Sequence, residues 1–135
     1  MFKFIALILL FTILSADYTP NWQSCSDPSD SWHPTSVTFA NQPVHGQSDN
    51  VTLCGESVDD FSFDHFQYKV KILDIVVYSG IGRFNSPQNV TAGETTCLQF
   101  NFTIPKFVIG TIQAQFIGLD TTGSERGCVQ VDVSL

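Results

Sequence analysis

Polar and apolar residues alternate one by one in several short segments of this chain, and this period of two constrains its fold most strongly. The clearest segment sets Leu98, Phe100, Phe102 and Ile104 on one face against Cys97, Gln99, Asn101 and Thr103 on the other. Successive side chains of an extended strand point to opposite faces, so this pattern predicts a half-buried β-strand. No apolar stripe of helical period occurs after residue 16, and we therefore expect an all-β fold.

The same period recurs along the chain, with turn residues between the segments. The other alternating sets are Val37 and Phe39; Val51 and Leu53; Phe61 and Phe63; Tyr68, Val70 and Ile72; Ile112, Ala114 and Phe116; and Val129, Val131, Val133 and Leu135. Glycine and proline predict turns or loops at 41–46, 79–88 and 120–127. Six to eight strands in one antiparallel sandwich account for this pattern.

Residues 1–16 differ from the rest of the chain. Lys3 precedes the apolar run Phe4–Leu14, and the small residues Ser15 and Ala16 suit cleavage. This is the pattern of a secretory signal peptide. A membrane anchor is the alternative, but spanning takes about 20 apolar residues, and Asp17 ends the run earlier. We therefore predict that 17–135 form a single domain of a secreted or luminal protein, such as one of the endosome or lysosome.

The chain is acidic, with a formal net charge of −7 from 6 Lys and Arg and 13 Asp and Glu. Nucleic-acid binding needs clustered basic side chains, so this composition excludes nucleic acid as a partner. Three Asn-x-Thr sequons predict N-glycosylation at Asn50, Asn89 and Asn101.

Four cysteines follow residue 16, namely Cys25, Cys54, Cys97 and Cys128. An even number in a small secreted domain predicts two disulfides, with three possible connectivities. Cys54, Cys97 and Cys128 fall on the polar faces of their strands, so we expect bridges on outer surfaces. A zinc site is the rival interpretation, but no CxxC pair and no clustered histidines occur.

No arrangement of residues in the sequence predicts catalysis. Among His33, His45 and His65, only His65 has an adjacent carboxylate, at Asp64. Neighbours on a strand point to opposite faces, so we expect His65 to be a surface histidine and not a general base. Asp64 and the pair Asp59-Asp60 could bind Ca²⁺, but a solvated turn explains them better. We predict neither an enzyme nor a cofactor.

Phenylalanine is unusually abundant, and nine of the 12 phenylalanines lie after residue 16. Phe84 falls in a glycine-rich segment, and Phe107 and Val108 follow Pro105, where a turn should be polar. Such residues either plug the rim of a dry core or line the mouth of an apolar pocket. Composition alone favours the core.

From residue 87 onward, short motifs stand in an order typical of one family. They are Ala92-Gly93-Glu94, the Phe-rich strand ending in Ile104-Pro105-Lys106-Phe107, Gly110, Leu119-Asp120-Thr121-Thr122-Gly123 and Gly127-Cys128-Val129-Gln130-Val131-Asp132-Val133. Cys25, Val37-Thr38-Phe39, Pro43 and Gly46 match more loosely. The chain resembles the ML-domain (MD-2-related lipid-recognition) family, which includes Niemann–Pick type C2 proteins, mite group 2 allergens and phosphatidylglycerol/phosphatidylinositol transfer proteins.

This resemblance implies an immunoglobulin-like β-sandwich of two antiparallel sheets with an apolar cavity between them. A lipid would be shielded there from water, at about 0.8 kcal/mol for each buried CH₂. Phe107 and Val108 would stand at the mouth, with Phe84 in an opposing loop. The implied lipid-binding residues are Tyr68, Val70, Ile72, Phe84, Phe100, Phe102, Ile104, Phe107, Val108, Ile112 and Phe116.

The resemblance also implies a function, namely transfer of phosphatidylglycerol or phosphatidylinositol between membranes by a monomer that contacts them transiently. Arg83 and Lys106 near the implied mouth could meet an anionic headgroup. The short-range disulfides common in the family, and the proline-rich run of its sterol-binding branch, are missing from this sequence, which favours phospholipid. Sterol transfer is the alternative within the family. A secreted adhesion or receptor-partner module with a dry core is the alternative from another class.

The family commonly joins its first and last cysteines. The resemblance therefore implies a Cys25–Cys128 disulfide and, from the two cysteines that remain, a Cys54–Cys97 disulfide.

Overall fold

The computed structural model describes residues 17–135, so the predicted signal peptide lies outside the described residues. Eight strands form this part of the chain: β1 (Asn21–Ser24), β2 (Trp32–Phe39), β3 (Ser48–Ser57), β4 (Phe61–Ile72), β5 (Ile75–Val90), β6 (Thr95–Thr103), β7 (Thr111–Asp120) and β8 (Glu125–Ser134). Residues 17–135 contain no helix that is long and apolar enough to cross a membrane. The prediction of six to eight strands is confirmed.

The strands form two antiparallel sheets. The larger sheet has the order β1-β8-β7-β4-β5 and the smaller has the order β2-β3-β6. The smaller sheet packs its apolar face against that of the larger, which gives the predicted immunoglobulin-like sandwich. Strands β5 and β6 are edge strands of different sheets, and β1 and β2 are the edge strands on the opposite side.

The alternating apolar residues form the core between the sheets, as the period of two predicts. In β6, Leu98, Phe100 and Phe102 are buried, whereas Cys97, Gln99 and Asn101 are exposed. In β8, Val129, Val131 and Val133 are buried in the same way. Trp32 is fully buried against both sheets, since a Cβ added to either Gly55 of β3 or Gly127 of β8 would overlap its indole.

The loop predicted at 79–88 is wrong, because β5 continues through it to Val90. Gly80 and Gly82 do not turn the chain there. Each lies under an aromatic ring, and an added Cβ would overlap Tyr68 at Gly80 and Phe100 at Gly82. The glycines thus mark a close approach of backbone to a ring, which is their other common role in strands.

Pro87 also contributed to the wrong prediction of a loop in this segment. Gln88 of β5 pairs with Phe63 of β4, and Arg83 pairs with His65, so residues 84–87 of β5 bulge out opposite Asp64 alone. Pro87 is tolerated because it lies in this bulge on an edge strand, where its missing N–H breaks no ladder. We call residues 84–87 the β5 bulge.

Both disulfides have the implied connectivity. Cys25–Cys128 ties the segment after β1 to β8, and Cys54–Cys97 joins directly paired residues of β3 and β6. Cys97 is exposed on the outer face, as expected. Cys128 is buried, because Cys25 bonds to it and the amide of Gln115 lies 3.5 Å from its sulfur.

The turn predicted at 120–127 is shorter in the structure, since β7 ends at Asp120 and β8 begins at Glu125. The buried Asp120 carboxylate accepts hydrogen bonds from the backbone N–H groups of Thr122 and Ser124, both at 2.9 Å. Arg126 Nε donates to its other oxygen at 2.8 Å. These bonds close the hairpin around one carboxylate.

Candidate functional site

The space between the sheets gathers ten of the eleven residues that the resemblance implied for lipid binding. Eight are buried in one apolar cluster: Tyr68, Val70, Phe100, Phe102, Ile104, Val108, Ile112 and Phe116. Ile72 and Phe84 are partly buried against it. Phe107 stands apart, with 64% of its surface exposed.

Aromatic rings fill the middle of this interior. The Phe100 ring stacks on Phe66 at 4.9 Å between centroids and meets the edge of Phe116 at 5.3 Å. Phe102 meets Tyr68 at 4.8 Å and Phe116 at 5.2 Å. The space that the resemblance assigned to a cavity is thus occupied by side chains, and a ligand there would have to displace rings.

Neither disulfide joins the two sheets, because Cys25–Cys128 ties the end of β1 to β8 within the larger sheet and Cys54–Cys97 lies within the smaller sheet. Ser26 reinforces the first of them, since its hydroxyl donates to Cys128 O at 3.1 Å and accepts from Cys128 N at 2.9 Å. We call the side of the sandwich formed by β5 and β6 the β5–β6 seam. Side-chain packing such as Phe84 on Phe100, at 6.5 Å, closes the seam.

Tyr68 brings a hydroxyl group into this interior. Burial raises the pKa of its hydroxyl above the ordinary value, the neighbouring Tyr78 phenol raises it further, and hydrogen bonding to Thr103 opposes both. Tyr78 lies on β5 and Thr103 on β6, so the phenol stays neutral and polar at the seam.

The resemblance implied that Phe84 and Phe107 face each other across a mouth, and the structure corrects this. Phe84 lies in the β5 bulge over Phe66 and Phe100. Phe107 lies in the β6–β7 connection, beside the other connections at that end of the sandwich. There Gly46 N donates to Ile104 O at 2.7 Å, and Leu135 N donates to Gly110 O at 2.9 Å.

That end of the sandwich carries most of the exposed apolar side chains. Of eight large hydrophobic residues exposed within 17–135, six lie at this end, four on its connections and two at the start of β5: Val44, Leu73, Phe107 and Ile109, and Ile75 and Val76. We call these six the loop-end patch. Leu73 is the extreme case, 91% exposed at the tip of the β4–β5 hairpin with a φ of 50°. A bulky residue in the left-handed region adds backbone strain to solvent exposure.

A groove of about 630 Å³ lies beside the seam. It is lined by Asn50 and Thr52 of β3, by Cys97, Gln99, Phe100 and Asn101 of β6, and by Arg83, Phe84, Asn85, Ser86 and Gln88 of β5. The β5 bulge thus forms one side and the strands of the smaller sheet form the other. We call it the β5–β6 groove. The sequence does not reveal this groove, because the groove depends on the bulge.

His65 and Asp64 correct a second expectation. Their side chains do not point apart, because His65 Nδ1 lies 2.8 Å from Asp64 Oδ2. The pairing of β4 shifts between Phe63 and His65, and this irregularity breaks the alternation on which the expectation rested. Within 17–135, no group of three or more His, Cys, Asp or Glu side chains could hold a metal ion.

Comparison with known proteins places this architecture. No protein-family profile and no curated protein matches the sequence, but solved structures match the fold. A Niemann–Pick type C2 protein from the Japanese carpenter ant superposes with a TM-score of 0.60 over 84% of this chain and 97% of that one, at 8% identity. The chain shares the fold of this Niemann–Pick type C2 protein.

Two further solved structures share this fold. Chicken MD-1 complexed with lipid IVa has a TM-score of 0.55 over 88% of this chain and 96% of that one, at 10% identity. The sporulation control protein Spo0M of Bacillus subtilis has a TM-score of 0.52 at 10% identity. It covers 78% of this chain, which spans only 50% of Spo0M.

Proposed function

We propose that this protein binds a phospholipid, phosphatidylglycerol or phosphatidylinositol, between its two sheets and carries it between membranes. The acyl chains would displace rings of the aromatic cluster, and the ten gathered residues would line them. Transfer of this kind needs no catalytic group, because the protein only replaces water around the chains. Burial of each CH₂ contributes about 0.8 kcal/mol.

The single observation that carries the proposal is an apolar interior rich in aromatic rings between two sheets that no disulfide joins. Non-covalent contacts such as Phe84 on Phe100 close the β5–β6 seam. The sheets can therefore move apart at the seam without breaking a disulfide. Chicken MD-1, which has this fold, was crystallised with lipid IVa, and this supports lipid as the ligand class.

The loop-end patch supports contact with a membrane. Four of its side chains sit on three separate connections, β2–β3, β4–β5 and β6–β7, and the other two begin β5 beside the β4–β5 hairpin. Separate apolar tips can enter a bilayer interface, whereas a protein partner usually requires a more continuous packed surface. We propose that the protein acts as a monomer that touches membranes with this end.

The two disulfides favour an oxidising compartment. Together with the signal peptide predicted from residues 1–16, they support a secreted or luminal location for the domain that we assign to 17–135.

Mass spectrometry of lipid extracted from the purified, secreted protein tests the proposal against a mock purification. We expect phosphatidylglycerol or phosphatidylinositol at close to one molecule per chain. A sterol at that ratio would support the alternative within the same fold. An empty extract, together with no uptake of labelled phosphatidylinositol, phosphatidylglycerol or cholesterol, would overturn lipid carriage.

A second candidate function is favoured by the filled interior. Rings in contact at about 5 Å leave the sandwich a dry core, as an adhesion or receptor-partner module would have. Such a module uses its exterior, so exterior substitutions would abolish its binding. For a carrier, substitutions along the β5–β6 seam would instead alter lipid exchange.

A further inference from the structure

The β5–β6 groove differs in charge from the chain as a whole. The protein has 13 acidic residues and a net charge of −7, yet the groove lining contains one cation, Arg83, and no carboxylate. Arg83 forms no ion pair with any carboxylate in the described part of the chain. An anion that enters the groove would therefore meet the guanidinium of Arg83 and no carboxylate in the lining.

The rest of the lining suits hydroxyl groups. Asn85, Gln88 and Gln99 provide amides, each with two donor hydrogens and a carbonyl acceptor, and Ser86 adds a hydroxyl. A ligand that carries both a phosphate and several hydroxyls can use all of these groups. The groove volume of about 630 Å³ lies within the usual range of small-molecule sites.

We propose that the β5–β6 groove binds the polyhydroxyl headgroup of an anionic phospholipid, with the phosphate against Arg83 and the hydroxyls against the amides. Guanidinium groups suit phosphate because they donate two parallel, charge-assisted hydrogen bonds. This inference deepens the proposed function and rests on it, since it assigns the headgroup of the same lipid.

Two phenylalanines connect the groove to the interior. Phe84 and Phe100 line the groove, and both also pack on Phe66 of the core, at 6.0 and 4.9 Å. A headgroup in the groove therefore brings its glycerol next to the seam through which the acyl chains would pass. Displacing Phe84, which is only partly buried, costs less than displacing Phe100.

A glycan of the protein itself would offer the same hydroxyl chemistry. Asn50 and Asn101, two of the three predicted glycosylation sites, line the groove and pair directly across β3 and β6. The experiment therefore uses protein produced without N-glycans beside the glycosylated form. Selection of headgroups by the glycan-free form alone would show that the glycan occupies the groove, and would overturn the inference for the glycosylated protein.

The test measures headgroup selection. Protein is incubated with vesicles of equal parts phosphatidylinositol, phosphatidylglycerol and phosphatidylcholine, reisolated, and its bound lipid is identified by mass spectrometry. We expect the glycan-free wild type to prefer the anionic lipids by about tenfold, the value of one or two neutral hydrogen bonds. Phosphatidylcholine has the same phosphate, but it offers the amides no hydroxyl and brings a quaternary ammonium close to Arg83. Arg83→Gln removes the charge that repels this ammonium and should lower the preference severalfold. Lys106→Gln is the matched control, because Lys106 packs across Gly46, away from the groove, and should leave the ratio unchanged.

A ratio that survives Arg83→Gln, or a wild type without preference, overturns the inference. Titration with glycerophosphoinositol tests the groove separately from lipid carriage. If the wild type binds this compound, Arg83→Gln does not bind it, and no lipid is carried, the groove is supported and lipid carriage is overturned. No binding and no carriage overturns both. Equal affinity for inorganic phosphate would show a phosphate site and overturn the headgroup assignment.

Discussion

Phe100 of β6 packs directly onto Gly82 of β5, with no room for a side chain between them. This contact joins the edge strands of the two sheets at the middle of the β5–β6 seam. No disulfide crosses the seam, so non-covalent contacts such as this fit of one ring onto one glycine keep it closed.

Gly82→Ala should therefore destabilise the protein. The added methyl would overlap the Phe100 ring, and overpacking of this kind costs about 1–3 kcal/mol. Urea denaturation followed by tryptophan fluorescence measures the loss. Ser79→Ala, at an exposed position on the same strand, is the control. A Gly82→Ala protein as stable as the wild type would show that the strands separate easily there.

Phe84→Ala should loosen the same seam. The variant loses the contacts of Phe84 with Phe66 and Phe100, so we expect a moderate loss of stability and, for a carrier, severalfold faster exchange of a fluorescent phospholipid. Phe61→Ala removes a similarly half-buried ring elsewhere, packed on Phe63 at 4.7 Å, and serves as the control. Equal exchange rates for the two variants would argue against entry through the seam.

Leu73→Asn should separate membrane contact from folding. Asparagine tolerates the left-handed backbone better than leucine, and Leu73 is 91% exposed, so stability should hold or rise. Loss of an apolar tip should at the same time weaken sedimentation with phospholipid vesicles, more strongly when combined with Phe107→Ser. Val58→Ser alters a side chain that is 69% exposed in the β3–β4 connection, outside the patch. If this variant weakens sedimentation as much, the loop-end patch is not the contact.

Stability should fall in acid through Asp120. Burial alone would raise the pKa of its carboxyl, but hydrogen bonds from Thr122, Arg126 and Ser124 outweigh burial and hold the pKa well below its ordinary value. An aspartate in the unfolded chain titrates near pH 3.9, so this stabilisation is complete above about pH 4 and is lost as the pH falls further.

Asp120→Asn measures this contribution. At pH 7 the variant should be less stable by about 1.5–3 kcal/mol, the value of hydrogen bonds to a charged group. The difference from the wild type should persist at pH 5 and shrink at pH 3, as followed by denaturation at the three values. If the difference in stability between variant and wild type does not change with pH, the charge of the Asp120 carboxylate does not contribute to it.

The strands with strict alternation could be predicted from sequence because burial on one face leaves a period of two in the chain. Phe100 and Phe102 were placed inward for this reason, and the structure buries both. The sequence pattern gave a wrong prediction at glycines, because glycine suits both a turn and a close contact between backbone and ring. Gly80 and Gly82 look like turn residues in sequence, but they are small because rings from β4 and β6 lie over them.

The alternation also failed at irregular pairing. His65 and Asp64 are sequence neighbours that should point apart, yet the shift in β4 lets their side chains bond at 2.8 Å. The same shift creates the β5 bulge and, with it, one side of the groove. Local sequence does not reveal such shifts, because they depend on the register of a partner strand.

The amino-acid sequence by itself determined the all-β class and the residues of the apolar interior, since both follow from which side chains avoid water along each strand. Only the tertiary structure decided which strand edges meet, and so it separated Phe84 at the seam from Phe107 at the loop end. It also gathered Arg83 and the amides of β5 and β6 into one groove. Contacts between distant strands leave no periodic trace in the chain, because they depend on sheet order, bulges and ring packing.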